Sequence, residues 1–113
     1  MHELSIALGI VKIAEDERSK AGANRVDSID LEIGKLSGVE LNSLEFAWPI
    51  AVKDTVLEHA KKNIDVIDGW AKCLECEEEY SIIHAYDGCP ACQGYFKDII
   101  RGKELRVKSL EVS

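Results

Sequence analysis

Apolar side chains recur near the start of the chain at helical intervals. Leu4, Leu8 and Val11 fall three to four positions apart, Ala7 and Ala14 lie beside them, and Ile6, Ile10 and Ile13 widen the stripe. This spacing predicts a helix from about Leu4 to Lys20. Glu15, Asp16, Glu17 and Arg18 then turn to solvent, and Gly22 offers a place for the helix to end. From Arg25 to Leu36 the period drops to two, with Ile29, Leu31 and Ile33 alternating with Asp30 and Glu32, as in a half-buried strand. Gly34 to Asn42 reads as a loop entering a second helix. Asn42 is its expected N-cap, with Glu45 in capping-box position, and Leu44, Phe46, Ala47, Trp48 and Val52 supply apolar surface. Pro49 removes one helical hydrogen bond and should kink that helix or end it early. Ile64 and Val66 suit a second strand from about Lys62 to Trp70. Leu105, Val107, Leu110 and Val112 suit a third, and the slip in parity after Val107 suggests a bulge near Lys108 and Ser109.

The stretch from Cys73 to about Phe96 breaks this pattern. It holds every cysteine, the run Glu77-Glu78-Glu79 and few aliphatic residues, so it cannot fold on an apolar core alone and needs a staple. The expected fold is α+β: two helices packed on a three-stranded sheet, with an inserted four-cysteine module resembling a zinc ribbon. The division is residues 1–72 plus 97–113 for the α+β domain and residues 73–96 for the insertion.

Composition narrows the function. The chain has 113 residues, 46% of them hydrophobic, which suits one compact domain with a modest core. Its 14 basic and 21 acidic side chains leave a net charge of −7, which disfavours nucleic acid as a partner. No apolar run approaches the roughly 20 residues of a membrane helix. Met1-His2-Glu3 lacks the basic start of a signal peptide, so a cytoplasmic location is expected. No activated nucleophile, phosphate-cradling glycine loop or open catalytic metal site is visible, so an enzyme is not expected.

In the reducing cytosol, paired cysteines read as metal ligands before they read as disulfides. Cys73-Leu74-Glu75-Cys76 and Cys89-Pro90-Ala91-Cys92 form two C-x-x-C knuckles twelve residues apart. Each places two thiolates on one side of a tight turn, and two facing turns make a tetrahedral cage of the kind that holds structural zinc. Iron of the rubredoxin type remains open, since all-sulfur ligation does not separate the two metals. Redox chemistry at one C-x-x-C is a weaker reading. Glu77 and Gln93 follow the knuckles where a glycine would ease sulfur-to-amide hydrogen bonding.

Met1-His2-Glu3 carries a second possibility. A large second residue keeps Met1 in place, and its amine, the amide nitrogens of His2 and Glu3, and the His2 imidazole can converge on one ion. That planar nitrogen set suits nickel(II) or copper(II). On the tripeptide alone, the competing reading of His2 as a frayed surface residue is the stronger. His84 reads as an exposed loop residue, His59 as the end of a helical turn, and Trp48 and Trp70 as core or core edge. On these residues three classes stay open: a metallochaperone, a zinc-ribbon interaction adaptor, and a rubredoxin-like electron carrier.

Taken together the motifs are more specific. Met1-His2-Glu3-Leu4-Ser5, the segment Leu31-Glu32-Ile33-Gly34-Lys35-Leu36-Ser37-Gly38-Val39-Glu40, the two knuckles, and the closing Glu104-Leu105-Arg106-Val107-Lys108-Ser109-Leu110-Glu111-Val112 resemble the HypA/HybF family of nickel-incorporation proteins over essentially the whole chain. The resemblance implies that His2 is the essential nickel(II) ligand, with the Met1 amine and the Glu3 backbone completing the site. Glu40 is then a candidate for a supporting position beside it. It implies structural zinc(II) on Cys73, Cys76, Cys89 and Cys92. It further implies delivery of nickel to the [NiFe]-hydrogenase large-subunit precursor, and in some relatives to urease, together with the GTPase HypB. A monomer or weak homodimer is expected, without nucleic acid or membrane.

Overall fold

The computed structural model describes residues 2–113. Helix α1 (His2–Lys20) leads into strand β1 (Val26–Gly34), followed by helix α2 (Leu41–Val52) and strand β2 (Lys61–Ile67). Strands β3 (Gly69–Cys73), β4 (Glu79–Ile82), β5 (Lys97–Arg101) and β6 (Leu105–Val112) complete the chain. They form two three-stranded sheets, ordered β2-β1-β6 and β4-β3-β5. The α+β expectation holds, and the inserted four-cysteine module carries a three-stranded sheet of its own.

The first compact unit contains the residues up to Leu31, Val39–Asp65 and Arg106–Ser113. Its core is built from Ala7, Ile10, Val11 and Ala14 of α1, Ile29 and Leu31 of β1, and Leu44, Ala47, Trp48 and Ala51 of α2. The buried face of α1 is therefore the 7-10-11-14 stripe; Leu8 and Ile13, placed on the apolar stripe from sequence, are exposed. Small alanines in the buried stripes of both helices let α1 and α2 approach closely, and Leu8 and Ile13 fall outside the buried stripe. The helix ends as its glycine requires. Gly22 is left-handed at φ 65°, its amide donates to Ser19 O and the Ala23 amide donates to Arg18 O, which closes the last turn.

The entry to α2 corrects the sequence expectation. Its cap is Glu40, two residues before Asn42, and the Glu40 carboxylate accepts the Ser43 amide at 2.6 Å. Asn42 lies within the first turn, and Glu45 pairs with Lys62, whose ammonium also lies 5.4 Å from the Trp48 ring centre. Pro49 stands inside the helix, which ends at Val52 one turn later. A chain cannot resume a full ladder quickly after losing one amide, so early termination is the outcome here.

The second unit comprises Glu32–Gly38 and Val66–Leu105, and so reaches beyond the segment 73–96 on both sides. The strand expected to run through Trp70 stops at Ile67, and Trp70 belongs to β3 in the other sheet. β3 pairs antiparallel with β4, Ala71 facing Tyr80, and with β5, Cys73 facing Lys97. Trp70 is half-buried there, donating through Nε1 to Glu79 at 2.7 Å under the Arg101 guanidinium. The change of sheet needs two bare backbones to touch. A Cβ on Gly34 would lie 1.9 Å from the Gly102 carbonyl oxygen, and Gly102 itself sits at φ 116°. Only glycine fits either place.

Candidate metal centres

Each cysteine pair sits in the same turn. The Cys73 amide donates to Glu78 O at 2.8 Å and the Glu77 amide to Cys73 O at 3.0 Å. In the second knuckle the Cys89 amide donates to Gly94 O at 2.9 Å and the Gln93 amide to Cys89 O at 2.7 Å. The two turns therefore match residue for residue. Each forces the residue after its second cysteine into the left-handed region, Glu77 at φ 66° and Gln93 at φ 65°. These are the two positions where glycine would be easiest, so the chain carries backbone strain at both knuckles.

That strain is measurable. A left-handed non-glycine residue costs about 1–2 kcal/mol, while glycine gains about 0.4–1 kcal/mol of unfolded-state entropy to be lost on folding. Gln93→Gly is therefore expected to stabilise the metal-loaded protein by about 0.5–1 kcal/mol, read as a raised denaturant midpoint with unchanged slope. A lowered midpoint would show that the Gln93 side chain contributes more than its backbone costs.

The facing turns bring all four sulfurs within 4.8 Å of one another. Cys73 Sγ lies 3.5 Å from Cys92 Sγ, and Cys76 Sγ lies 3.6 Å from Cys89 Sγ. A tetrahedral zinc with bonds of about 2.3 Å has sulfur–sulfur edges of roughly 3.8 Å, so the donor set fits that ion with little adjustment. All four cysteines are free thiols. The first of each pair, Cys73 and Cys89, is buried with Ala71, Tyr80 and Ile82, with Leu36 and Ile99 packed alongside; the second of each pair is exposed.

The sulfurs are electrostatically unequal. Amides of Cys76 and Glu75 point at Cys73 and lower its thiol to about 7. The Glu78 amide favours the Cys76 thiolate, but partial desolvation of its sulfur, on an otherwise exposed residue, and the sulfurs of Cys89, Cys92 and Cys73 outweigh it and push Cys76 up to about 12. Cys92 is also raised: the Gly94 amide favours its thiolate, and the Cys73 sulfur and partial desolvation of its own sulfur overcome that. A cluster of this kind cannot hold four negative charges without a cation among them. Binding a divalent ion displaces the protons that Cys76 and Cys92 keep at neutral pH, so apparent affinity rises with pH and falls on acidification.

Tyr80 carries no signal in the sequence pattern. Its hydroxyl is buried without a hydrogen-bond partner beside the sulfurs, and burial raises its pKa. Its partner across the strands, Ala71, could be found only from the register. His84 is exposed and stacks on Tyr86 at 4.8 Å between ring centres; among the described residues, the metal-holding cluster contains cysteines alone. His59 lies exposed in the turns after α2.

At the other candidate centre, Met1 lies outside the described residues, and α1 starts at His2. The His2 side chain is 70% exposed, with Nδ1 3.9 Å from Glu3 Oε2, whereas the Glu3 side chain is only 12% exposed. Glu3 Oε2 accepts the Glu40 amide at 3.1 Å. That bond, with a further one from its own amide, holds the Glu3 carboxyl below the usual range against the opposing effect of burial. Glu40 is likewise held low, chiefly by the Ser43 amide. Glu3, Leu4, Asn42, Ser43, Phe46 and Ile50 line a groove of about 400 Å³ beside this end of α1.

No helix among the described residues is long and apolar enough to cross a membrane. Residues 1–112 match the family model described as "Hydrogenase/urease nickel incorporation, metallochaperone, hypA". The hydrogenase maturation factor HypA of Parabacteroides distasonis is 44% identical over 112 residues, covering 99% of this chain and 97% of that protein. The same factor from Geotalea daltonii is 43% identical over 112 residues, with 99% of each covered. Among solved structures, that of the nickel metallochaperone HypA from Helicobacter pylori superposes with a TM-score of 0.70 over 97% of this chain and 96% of that one. At 21% identity that likeness speaks for the fold. Matched along its length by the family model and by relatives above 40% identity, the chain belongs to the HypA family of hydrogenase and urease nickel-incorporation metallochaperones.

Proposed function

We propose that this metallochaperone takes nickel(II) at its own N-terminus, through the Met1 amine, the His2 imidazole and the amides of His2 and Glu3. In this reading it passes the ion to the [NiFe]-hydrogenase large-subunit precursor in the cytoplasm, with urease as a second class of recipient. The observation that carries the reading is the placement of His2: it opens α1 with its imidazole held out in solvent. Helix geometry gives first-turn amides no carbonyl partner within the helix, so a metal can use them without breaking the ladder. Planar nitrogen ligation of this kind suits nickel(II).

The four-cysteine cage takes structural zinc, from Cys73, Cys76, Cys89 and Cys92, and supplies the second unit with the core its composition lacks. The two centres differ in the way their tasks require. A closed thiolate cage retains its ion, whereas an exposed terminal site can release one. Any nucleotide hydrolysis belongs to the partner GTPase HypB. Glu3 and Leu4 form one wall of the groove that Phe46 and Ile50 complete. A partner seated there would touch the nickel segment directly, which supports handover through a change in the Met1–Glu3 geometry.

The test is a nickel titration of zinc-loaded protein with its native N-terminus, beside a version carrying one extra residue before Met1, followed by the visible d–d band. The native protein should bind one nickel with a planar signature and the extended one should not. Equal binding by both would place nickel elsewhere and overturn the mechanism.

A further inference from the structure

We propose that the Glu3 carboxylate is a positioning residue for nickel: by accepting the Glu40 amide it latches the first turn of α1 to the cap of α2 and holds the nickel-binding backbone in place. This rests on the N-terminal nickel reading and adds to it a role for the side chain of Glu3, where the site itself needs only that residue's backbone. The geometry is a two-step relay. Glu3 Oε2 accepts the Glu40 amide at 3.1 Å, and the Glu40 carboxylate accepts the Ser43 amide at 2.6 Å. Glu40 O in turn accepts the Leu44 amide at 3.0 Å, which starts the α2 ladder.

Chain ends fray because nothing opposes their conformational entropy. A metal site built on the first three residues of a chain would lose affinity to that fraying unless something outside the segment held it. Among the described residues His2 supplies no such anchor, since its side chain is 70% exposed. The Glu3 side chain does: at 12% exposed it turns inward from the same helical turn. Its bond reaches 37 positions along the chain, to a residue that is itself fixed as a helix cap. A carboxylate oxygen that accepts a backbone amide makes one of the stronger kinds of hydrogen bond. Glu40 thus acts through its amide, as the partner of Glu3, while its own carboxylate is occupied with the cap.

The test compares three variants of zinc-loaded full-length protein with an unextended N-terminus. Glu3→Ala keeps the backbone nitrogen and removes the acceptor; Glu3→Gln keeps an acceptor oxygen and removes the charge; His2→Ala removes the imidazole. Two readouts are taken: the Glu40 amide proton by NMR without nickel, and the nickel affinity by the d–d band. In Glu3→Ala the Glu40 amide should move upfield and exchange faster, and nickel should bind roughly tenfold more weakly, as loss of one charge-assisted hydrogen bond implies. Glu3→Gln should stay within roughly threefold of the parent. An unchanged Glu40 amide in Glu3→Ala would show that no latch exists and overturn the inference. So would unchanged nickel affinity in Glu3→Ala, or equal weakening in both Glu3 variants while the Glu40 amide of Glu3→Gln stays at the parent's position, which would assign the effect to charge and not to the bond. In those cases loss of binding in His2→Ala leaves the nickel reading standing. A parent protein that binds no planar nickel removes both.

Discussion

Replacing Cys89 by serine should remove the metal from the second unit and most of that unit's stability with it. Structural zinc contributes on the order of 10–16 kcal/mol in small zinc-dependent folds, or roughly 3 kcal/mol for each of four sulfurs, which is on the order of a hundredfold in affinity for one ligand. Cys89 is also one of the largest fully buried side chains, packed with Cys73, Tyr80 and Ile82. Serine there adds a buried hydroxyl to the loss of a ligand. Cys92→Ser loses the same ligand from an exposed position, so its metal-free form should match that of the parent. Competition with a chromophoric chelator, together with thermal unfolding with and without EDTA, separates the two effects. If Cys89→Ser and Cys92→Ser melt alike in EDTA, burial of the first cysteine contributes nothing beyond ligation.

Gly34→Ala should destabilise the protein by about 3 kcal/mol or more, because overpacking against backbone cannot be relieved by rotating a side chain. The new Cβ would meet Gly102 O at 1.9 Å and Gly102 C at 2.1 Å. The same change at Gly9 should have the opposite sign. Gly9 lies exposed on α1 with nothing within 4 Å of a built Cβ, so Gly9→Ala should stabilise by about 1 kcal/mol through helix propensity. Denaturant unfolding of both variants with zinc bound checks the pair. A Gly34→Ala midpoint equal to the parent's would mean that the end of β1 and the Gly102 bend can separate at that point without cost.

The comparison of Gly9 with Gly34 also shows where local pattern stops being informative. Gly9 lies inside α1 and Gly34 is the last residue of β1, and the residues beside either one do not say what a Cβ there would meet. The difference lies in Gly102, 68 positions beyond Gly34, and in the approach of the two backbones. The apolar stripe of α1 has the same limit. Periodicity marked a broad face including Leu8 and Ile13, and packing in the folded unit buried only Ala7, Ile10, Val11 and Ala14. The helix cap is Glu40 and not Asn42, and the same Glu40 is bonded through its amide to Glu3, a contact between distant parts of the chain.

Local pattern alone was enough for both helices, the three strands of the first sheet, the stop at Gly22 and the four cysteines as one ligand set. These depend on spacing, on which residue types tolerate a given backbone, and on thiol chemistry, all of which act over a few residues. Tertiary structure alone decided the second sheet, the burial of Tyr80 beside the cage, the unequal sulfurs and the tie from Glu3 to Glu40. Each is a pairing of groups distant in sequence, and its energy depends on distance and on exclusion of water, which only the folded chain sets.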